Sequence, residues 1–225
     1  MIRASIFAMT LVAGPALAEC RHALALGLDV SSSVDAVEYN LQMTGLAGAL
    51  DDPRVRRALT GDGGGHVALM VYEWSGQSHQ TVILPWIEVI SNAEVNLAIT
   101  SLNQHRRSAS NAPTALGTAI GFGAAQMAIG PNCWRQTLDI SGDGINNTGY
   151  RPKQAFLNYD FSNITVNGLV VDTQGDGELQ QYYRQEVIYG AGSFVETAAG
   201  YADYERAIKR KLLRELTVLA LSALE

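Results

Sequence analysis

The chain has 225 residues, 47% hydrophobic and 17% charged, with a mean hydropathy of +0.03, which is the size of one domain with a full core rather than two. Its net charge of -6 and pI near 5.2 argue against a nucleic-acid partner. The basic residues near the C-terminus (Arg206, Lys209, Arg210, Lys211, Arg214) alternate with apolar ones at helical spacing, so they read as a solvated helix face and not as a phosphate-binding patch.

Residues 1–18 read as an export signal. Arg3 supplies a positive start, Ile6 to Val12 an apolar stretch, and Ala16-Leu17-Ala18 a small-x-small cleavage site before Glu19. The stretch is too short to span a bilayer. Glu19, where a lipoprotein signal needs a small residue directly before Cys20, rules out lipid anchoring. The expected product is a single domain, 19–225, in the periplasm or outside the cell, with no membrane anchor.

In chain order, the first strand is expected over about Ala23 to Leu28. It is followed by Asp29-Val30-Ser31-Ser32-Ser33 and a helix over about Val34 to Leu50, with Leu41, Leu46 and Leu50 as core candidates. Asp51-Asp52-Pro53 ends that helix, a short basic helical piece comes next, and Thr60 to Gly65 is a loop. The second strand covers about His66 to Trp74. The third, about Gln80 to Leu84, ends near Pro85 and reads as an antiparallel edge strand. A helix over about Asn92 to Leu102 places Val95, Leu97, Ile99 and Leu102 as apolar positions. His105 to Pro113 is a polar loop.

The next helix, about Thr114 to Ala128, is rich in glycine and alanine, which points to close packing on the sheet because glycine is otherwise a poor helix former. The fourth strand is Thr137 to Ile140, with Ser141-Gly142-Asp143-Gly144 as the loop after it. The fifth strand is Thr165 to Val171. A helix over about Glu178 to Val187, a sixth strand over about Ser193 to Glu196 and a last helix over Tyr201 to Leu224 complete the chain. This alternation predicts a Rossmann-like α/β fold: a mostly parallel sheet of about six strands, one antiparallel edge strand, and helices on both faces. Cys20 and Cys133 each precede an apolar strand by a short distance. If those strands are parallel neighbours, the two cysteines meet at the edge opposite the loops, and a disulfide is expected.

Three connections carry oxygen donors. Asp29, Ser31 and Ser33 follow the first strand, Thr114 opens a helix (Thr118, one turn on, is its alternative), and Asp143 follows the fourth strand. In open α/β sheets, ligands bind beyond the C-terminal strand ends where the strand order reverses. Hard cations such as Mg²⁺ take oxygen ligands. The competing readings are a helix cap for Ser31, Ser33 and Thr114 and a turn-forming aspartate for Asp143. Asp172 to Glu178 has the look of a calcium loop, but Tyr183 stands where an EF-hand needs its glutamate, so it reads as a surface loop bordering the site. The tryptophans read as core or edge packing, and the four histidines show no metal-ligand spacing.

With those motifs in this order, the chain resembles a von Willebrand factor type A domain, in particular the small exported bacterial branch of unknown function. The match runs through Asp29-Val30-Ser31-Ser32-Ser33, then Thr114-Ala115-Leu116-Gly117-Thr118-Ala119-Ile120, then Ser141-Gly142-Asp143-Gly144. Ser141-Gly142 stands where the family has a single threonine. The resemblance implies a metal-ion-dependent adhesion site (MIDAS) built by Asp29, Ser31, Ser33, Thr114 and Asp143. It implies Mg²⁺ as the ion, with Mn²⁺ or Ca²⁺ as substitutes, and a protein partner whose Asp or Glu completes the coordination. No enzyme is expected: there is no G-x-S-x-G, no histidine follows His105, and no basic residue lies within the motifs to hold a phosphoryl group. A metal-free interaction domain and, behind it, a Mg-dependent hydrolase are the alternatives.

Overall fold

The structure, a computed structural model, describes residues 19–61, 65–108 and 111–222, with 217–222 as backbone only. The expected export signal lies outside the described residues. The elements are β1 (Cys20–Asp29), α1 (Ala36–Asp51), α2 (Pro53–Thr60), β2 (His66–Trp74), β3 (Gln80–Val89), α3 (Asn92–Gln104), α4 (Leu116–Ile129), β4 (Arg135–Gly142), α5 (Pro152–Asn158), β5 (Ile164–Val171), α6 (Glu178–Tyr182), β6 (Val195–Ala198) and α7 (Tyr204–Ser222). One turn of π-helix, Tyr183–Val187, extends α6, and a 3-10 turn, Tyr201–Asp203, leads into α7.

The strands form one six-stranded sheet in the order β3-β2-β1-β4-β5-β6. All neighbours are parallel except the β2–β3 pair. The order reverses between β1 and β4, so the C-terminal ends of these two strands open side by side. β1 and β2 are buried along almost their whole length, as continuous apolar runs in a sheet covered on both faces must be. One apolar cluster joins α1, α2, α3 and α7 to the sheet. A second joins α4, α5 and the π-turn to the opposite face.

The sequence reading needs several adjustments. β3 runs through Pro85 to Val89 instead of stopping at the proline. It is the outermost strand, so one side needs no ladder partner, and the register slips between Leu69↔Ile87 and Val71↔Leu84. Leu41 and Leu97 are exposed on their helices, while Tyr39, Met43 and Ala98 are buried in their place. Trp134 is largely exposed, so it is not a packing residue. The short helix α5 was not anticipated. The glycines of α4 behave as expected: a methyl at Gly117 or Gly121 would collide with Tyr150, and one at Gly123 with Leu138.

The largest correction concerns α7. Lys211 is fully buried, not solvated. Its ammonium lies 2.6 Å from Asp139 on β4 and 2.7 Å from Glu215, one turn along α7. Asn167 on β5 donates to Glu215 at 2.6 Å, and Tyr204 donates to Ser141 at 3.2 Å. Polar residues of β4 and β5 thus turn toward α7 and clamp it to the sheet. Two carboxylates share one ammonium there. Burial, aided by the Glu215 charge and opposed by Lys211, pushes Asp139 up to about 7.

Cys20 and Cys133 form the expected disulfide, with Cα atoms 4.7 Å apart and a sequence separation of 113. It joins the start of β1 to the segment leading into β4, at the sheet edge opposite the reversal loops. Closing a loop of this length restricts the unfolded chain by about 4–5 kcal/mol at most. Reduction, or Cys133→Ser, is therefore expected to lower the urea midpoint by the equivalent of a few kcal/mol, measured by equilibrium unfolding with and without reductant. A second expectation follows from Asp139. A raised folded-state pKa gives stability that is present below the unfolded carboxylate pKa of about 4 and is lost as pH rises through 7. Asp139→Asn removes this group. Its melting temperature relative to wild type is expected to rise between pH 5 and pH 8, read by calorimetry in chelator.

Candidate functional site

The β1 ladder is extended one residue beyond Asp29 by Val30 N–H, which donates to Trp74 at 2.8 Å. The chain then turns, with Val34 N–H donating to the Ser31 carbonyl at 3.1 Å. Asp35 caps α1: its carboxylate accepts from the N–H groups of Val37 and Glu38, and the Glu38 side chain returns to Asp35 N–H at 2.8 Å. Because Asp35 does the capping, Ser31 and Ser33 are not caps. Thr114 is not a cap either. It sits two residues before α4, whose N-terminus carries no side-chain cap.

The five expected site residues are brought together. Asp29 Oδ1 accepts from Ser31 N–H at 2.7 Å. Thr114 Oγ1 donates to Ser31 Oγ at 3.2 Å, Ser31 Oγ and Ser33 Oγ share a hydrogen bond at 3.1 Å, and Ser33 Oγ donates to Asp143 Oδ1 at 2.7 Å. The cluster is graded in depth. Asp29 and Ser31 are fully buried and Thr114 nearly so, Asp143 is half-buried, and Ser33 is exposed. Thr118, the alternative to Thr114, faces Gly149 instead.

Other residues fix this arrangement, and sequence reasoning missed their role. Asn147 accepts from Thr114 N–H at 2.9 Å, and its own N–H donates to the Thr114 carbonyl at 3.0 Å. Asn146 accepts from Gly117 N–H at 3.1 Å. These two asparagines tie the loop after β4 to the start of α4. Gln42 on α1 donates to the Asp29 carbonyl at 3.0 Å. Arg107 reaches across from the α3–α4 loop and donates to the carbonyls of Val30 and Ser31 at 2.8 and 2.9 Å. Its loop is held in turn by buried Glu73, which accepts from Ser108 N–H at 2.8 Å and lies 3.1 Å from His105 Nε2.

The electrostatics are unbalanced. Burial pushes the Asp29 carboxyl up to about 7, and the negative charge of Asp143 adds to this. The Ser31 hydrogen bond and Arg107 offset it only in part. Asp29 Oδ2 is buried with no hydrogen-bond partner, a costly state for a carboxylate oxygen. Among the described residues, no group of three or more His, Cys, Asp or Glu side chains could hold a metal. This cluster has only two carboxylates, and its other donors are hydroxyls. An all-oxygen set with an unsatisfied buried carboxylate oxygen fits a hard divalent cation.

Comparison with known proteins shows the family and the fold. A family model matches residues 19–220. The chain belongs to the family described as Protein of unknown function (DUF1194). Solved structures show that this DUF1194 chain has the von Willebrand factor type A fold. It is similar to a von Willebrand factor type A protein from Catenulispora acidiphila, with 12% identity and a TM-score of 0.65 over 88% of this chain and 43% of that one. It is similar to proximal thread matrix protein 1 from the mussel byssus with a zinc-occupied MIDAS motif, with 15% identity and a TM-score of 0.63 over 88% and 48%. It is also similar to the pilus adhesin SpaC from Lactobacillus rhamnosus GG, with 12% identity and a TM-score of 0.62 over 88% and 30%. The chain spans less than half the length of each of these. No curated protein matches it.

Arg107 makes charge-assisted hydrogen bonds to two carbonyls of the Asp29–Ser33 loop, and such bonds contribute about 1.5–3 kcal/mol each when well shielded. Because Arg107 is only partly buried, Arg107→Ala is expected to cost about 1–3 kcal/mol in all, measured by urea unfolding of the chelated protein.

Proposed function

We propose that this DUF1194 domain is an exported, metal-dependent protein-binding module of the adhesion type, with no catalytic activity of its own. The observation that carries the reading is the unbroken run of oxygens from Thr114 through Ser31 and Ser33 to Asp143, with Asp29 beneath it, drawn from three separate connections at the reversal of strand order. Ser31, Ser33 and Thr114 would hold Mg²⁺ through neutral hydroxyls, with Mn²⁺ or Ca²⁺ as substitutes. Asp29 and Asp143 would supply negative charge and orient the hydroxyls. Held mostly by neutral ligands, the ion would supply a Lewis-acidic point for an outside carboxylate. The exposed Ser33 side of the cluster is where a partner's Asp or Glu would approach.

Supporting this, similar folds include one protein with a zinc-occupied MIDAS motif and one pilus adhesin. The disulfide suits an oxidising compartment, the periplasm or the cell exterior. No helix among the described residues is long and apolar enough to cross a membrane. One observation favours a second reading, a metal-free interaction domain: the three hydroxyls already bond to one another and to Asp143 without an ion.

Calorimetric titration separates the two. Wild-type protein is expected to bind Mg²⁺ or Mn²⁺, Ser31→Ala to weaken binding by at least about tenfold, and Asp29→Ala to abolish it. Wild-type protein that takes up no ion at millimolar concentration supports the metal-free reading. Capture of a protein from the exported fraction that is lost on chelation is the matching test of the partner.

A further inference from the structure

Tyr183 is fully buried, and it sits where α6 loosens into a single π-turn. Such turns occur often at functional sites. Two glycines clear its path. A methyl at Gly168 on β5 would stand 2.8 Å from Tyr183 Cδ1, and a methyl at Gly142, the last residue of β4, would stand 2.5 Å from its hydroxyl oxygen. That same methyl at Gly142 would stand 3.0 Å from Asp29 Oδ2. The phenol oxygen and the free carboxylate oxygen therefore converge on one point beside Gly142, no farther apart than one bridging water spans.

Neither atom has a protein partner. Each is costly to bury alone, and they are chemically complementary, since a phenol donates and a carboxylate oxygen accepts. Burial, with the negative charges of Asp29 and Asp143 beside it, holds the phenol well above its ordinary pKa.

We infer that Tyr183 is a positioning residue for the oxygen cluster: its hydroxyl donates to Asp29 Oδ2 through one bridging water and fixes how that carboxylate faces a bound divalent cation. This rests on the metal-binding reading above. Asp29 is anchored on one oxygen by the Ser31 N–H and, through Tyr183, on the other. The carboxylate plane is then set before the ion arrives. The side chain responsible comes from the connection between β5 and β6, 154 positions along the chain from Asp29.

The test compares wild type, Tyr183→Phe and Tyr72→Phe. Tyr72 is a second fully buried tyrosine, but its hydroxyl is already satisfied, donating to the Ala119 carbonyl at 2.9 Å. Mg²⁺ affinity is read by calorimetry, stability by thermal unfolding in chelator, and the tyrosine environment by ultraviolet difference absorbance on adding Mg²⁺. Tyr183→Phe is expected to weaken Mg²⁺ binding ten- to hundredfold, to unfold below the wild-type temperature in chelator, and to lose the Mg²⁺-induced tyrosine difference signal. Tyr72→Phe is expected to lose stability while keeping both the affinity and the signal. Wild-type Mg²⁺ affinity in Tyr183→Phe overturns the assignment, whether or not stability changes. Wild-type protein that binds no divalent ion overturns the metal-binding reading first, and the Tyr183 assignment with it.

Discussion

The parallel pairing of β1 with β4 is the constraint on which the site depends. The two strands run in register from His22↔Arg135 to Leu28↔Ser141, so they end together, and the residues just past that pairing, Asp29 and Asp143, emerge side by side. Because these neighbours lie far apart in the sequence, each must leave by its own crossover, one toward α1 and one toward α5. The crevice between the diverging loops follows from topology alone. The disulfide at the opposite end holds the same two chain segments together. A slip of one residue between β1 and β4 would turn every side chain of one strand to the other face. It would also pull Ser33 away from Asp143.

The face of β4 that meets α7 is unusual for a central strand. Thr137, Asp139 and Ser141 alternate with Leu138 and Ile140, and all five are buried. The apolar residues pack beneath α4, and the polar ones meet His22, Lys211 and Tyr204. A buried ion pair is weak evidence for stability, because desolvation cancels much of the Coulomb attraction. Its directional contacts do fix the register of α7 on the sheet, with Lys211 against Asp139 and Tyr204 against Ser141. The 3-10 turn before α7 carries Tyr201, whose buried hydroxyl faces the charges of Asp143, Asp29 and Glu38. The placement of α7 and the polar surroundings of the site are thus parts of one packing arrangement.

Much of this was legible in the sequence because the signals were local. β2 could be read to its ends from an apolar run bounded by a glycine loop and a turn. The oxygen donors could be found because motif spacing marks strand–loop–helix junctions. What stayed hidden depended on tertiary partners. Lys211 looked solvated because its neighbours in sequence alternate properly, and nothing local shows that β4 offers a carboxylate at that height. Pro85 looked like a strand end because the freedom of an edge is a property of the sheet and not of the residue. Asn146 and Asn147 carry no local sign of their role, yet Asn147 clamps Thr114 and Asn146 holds Gly117 N–H. Glu73 and Arg107, which brace the site loop, lie on elements that only folding brings next to it.

Several buried polar atoms without a protein partner surround the oxygen cluster. Asp29 Oδ2, Gln42 Oε1, Ser75 Oγ, Tyr183 Oη and Tyr201 Oη are all buried without a protein partner. They belong to residues at the C-terminal strand ends or to side chains packed against them. Folded proteins satisfy most buried polar groups, and the exceptions gather where function requires them. A purely structural loop would gain by replacing Asp29 with a neutral residue, since its charge is desolvated and repelled by Asp143. A carboxylate kept under those conditions, beside three hydroxyls whose remaining lone pairs can accept nothing from one another, leaves a local deficit of positive charge. On the reading proposed above, a divalent cation would answer that deficit with a single ion, and the exposed Ser33 side would leave it open to a carboxylate from outside.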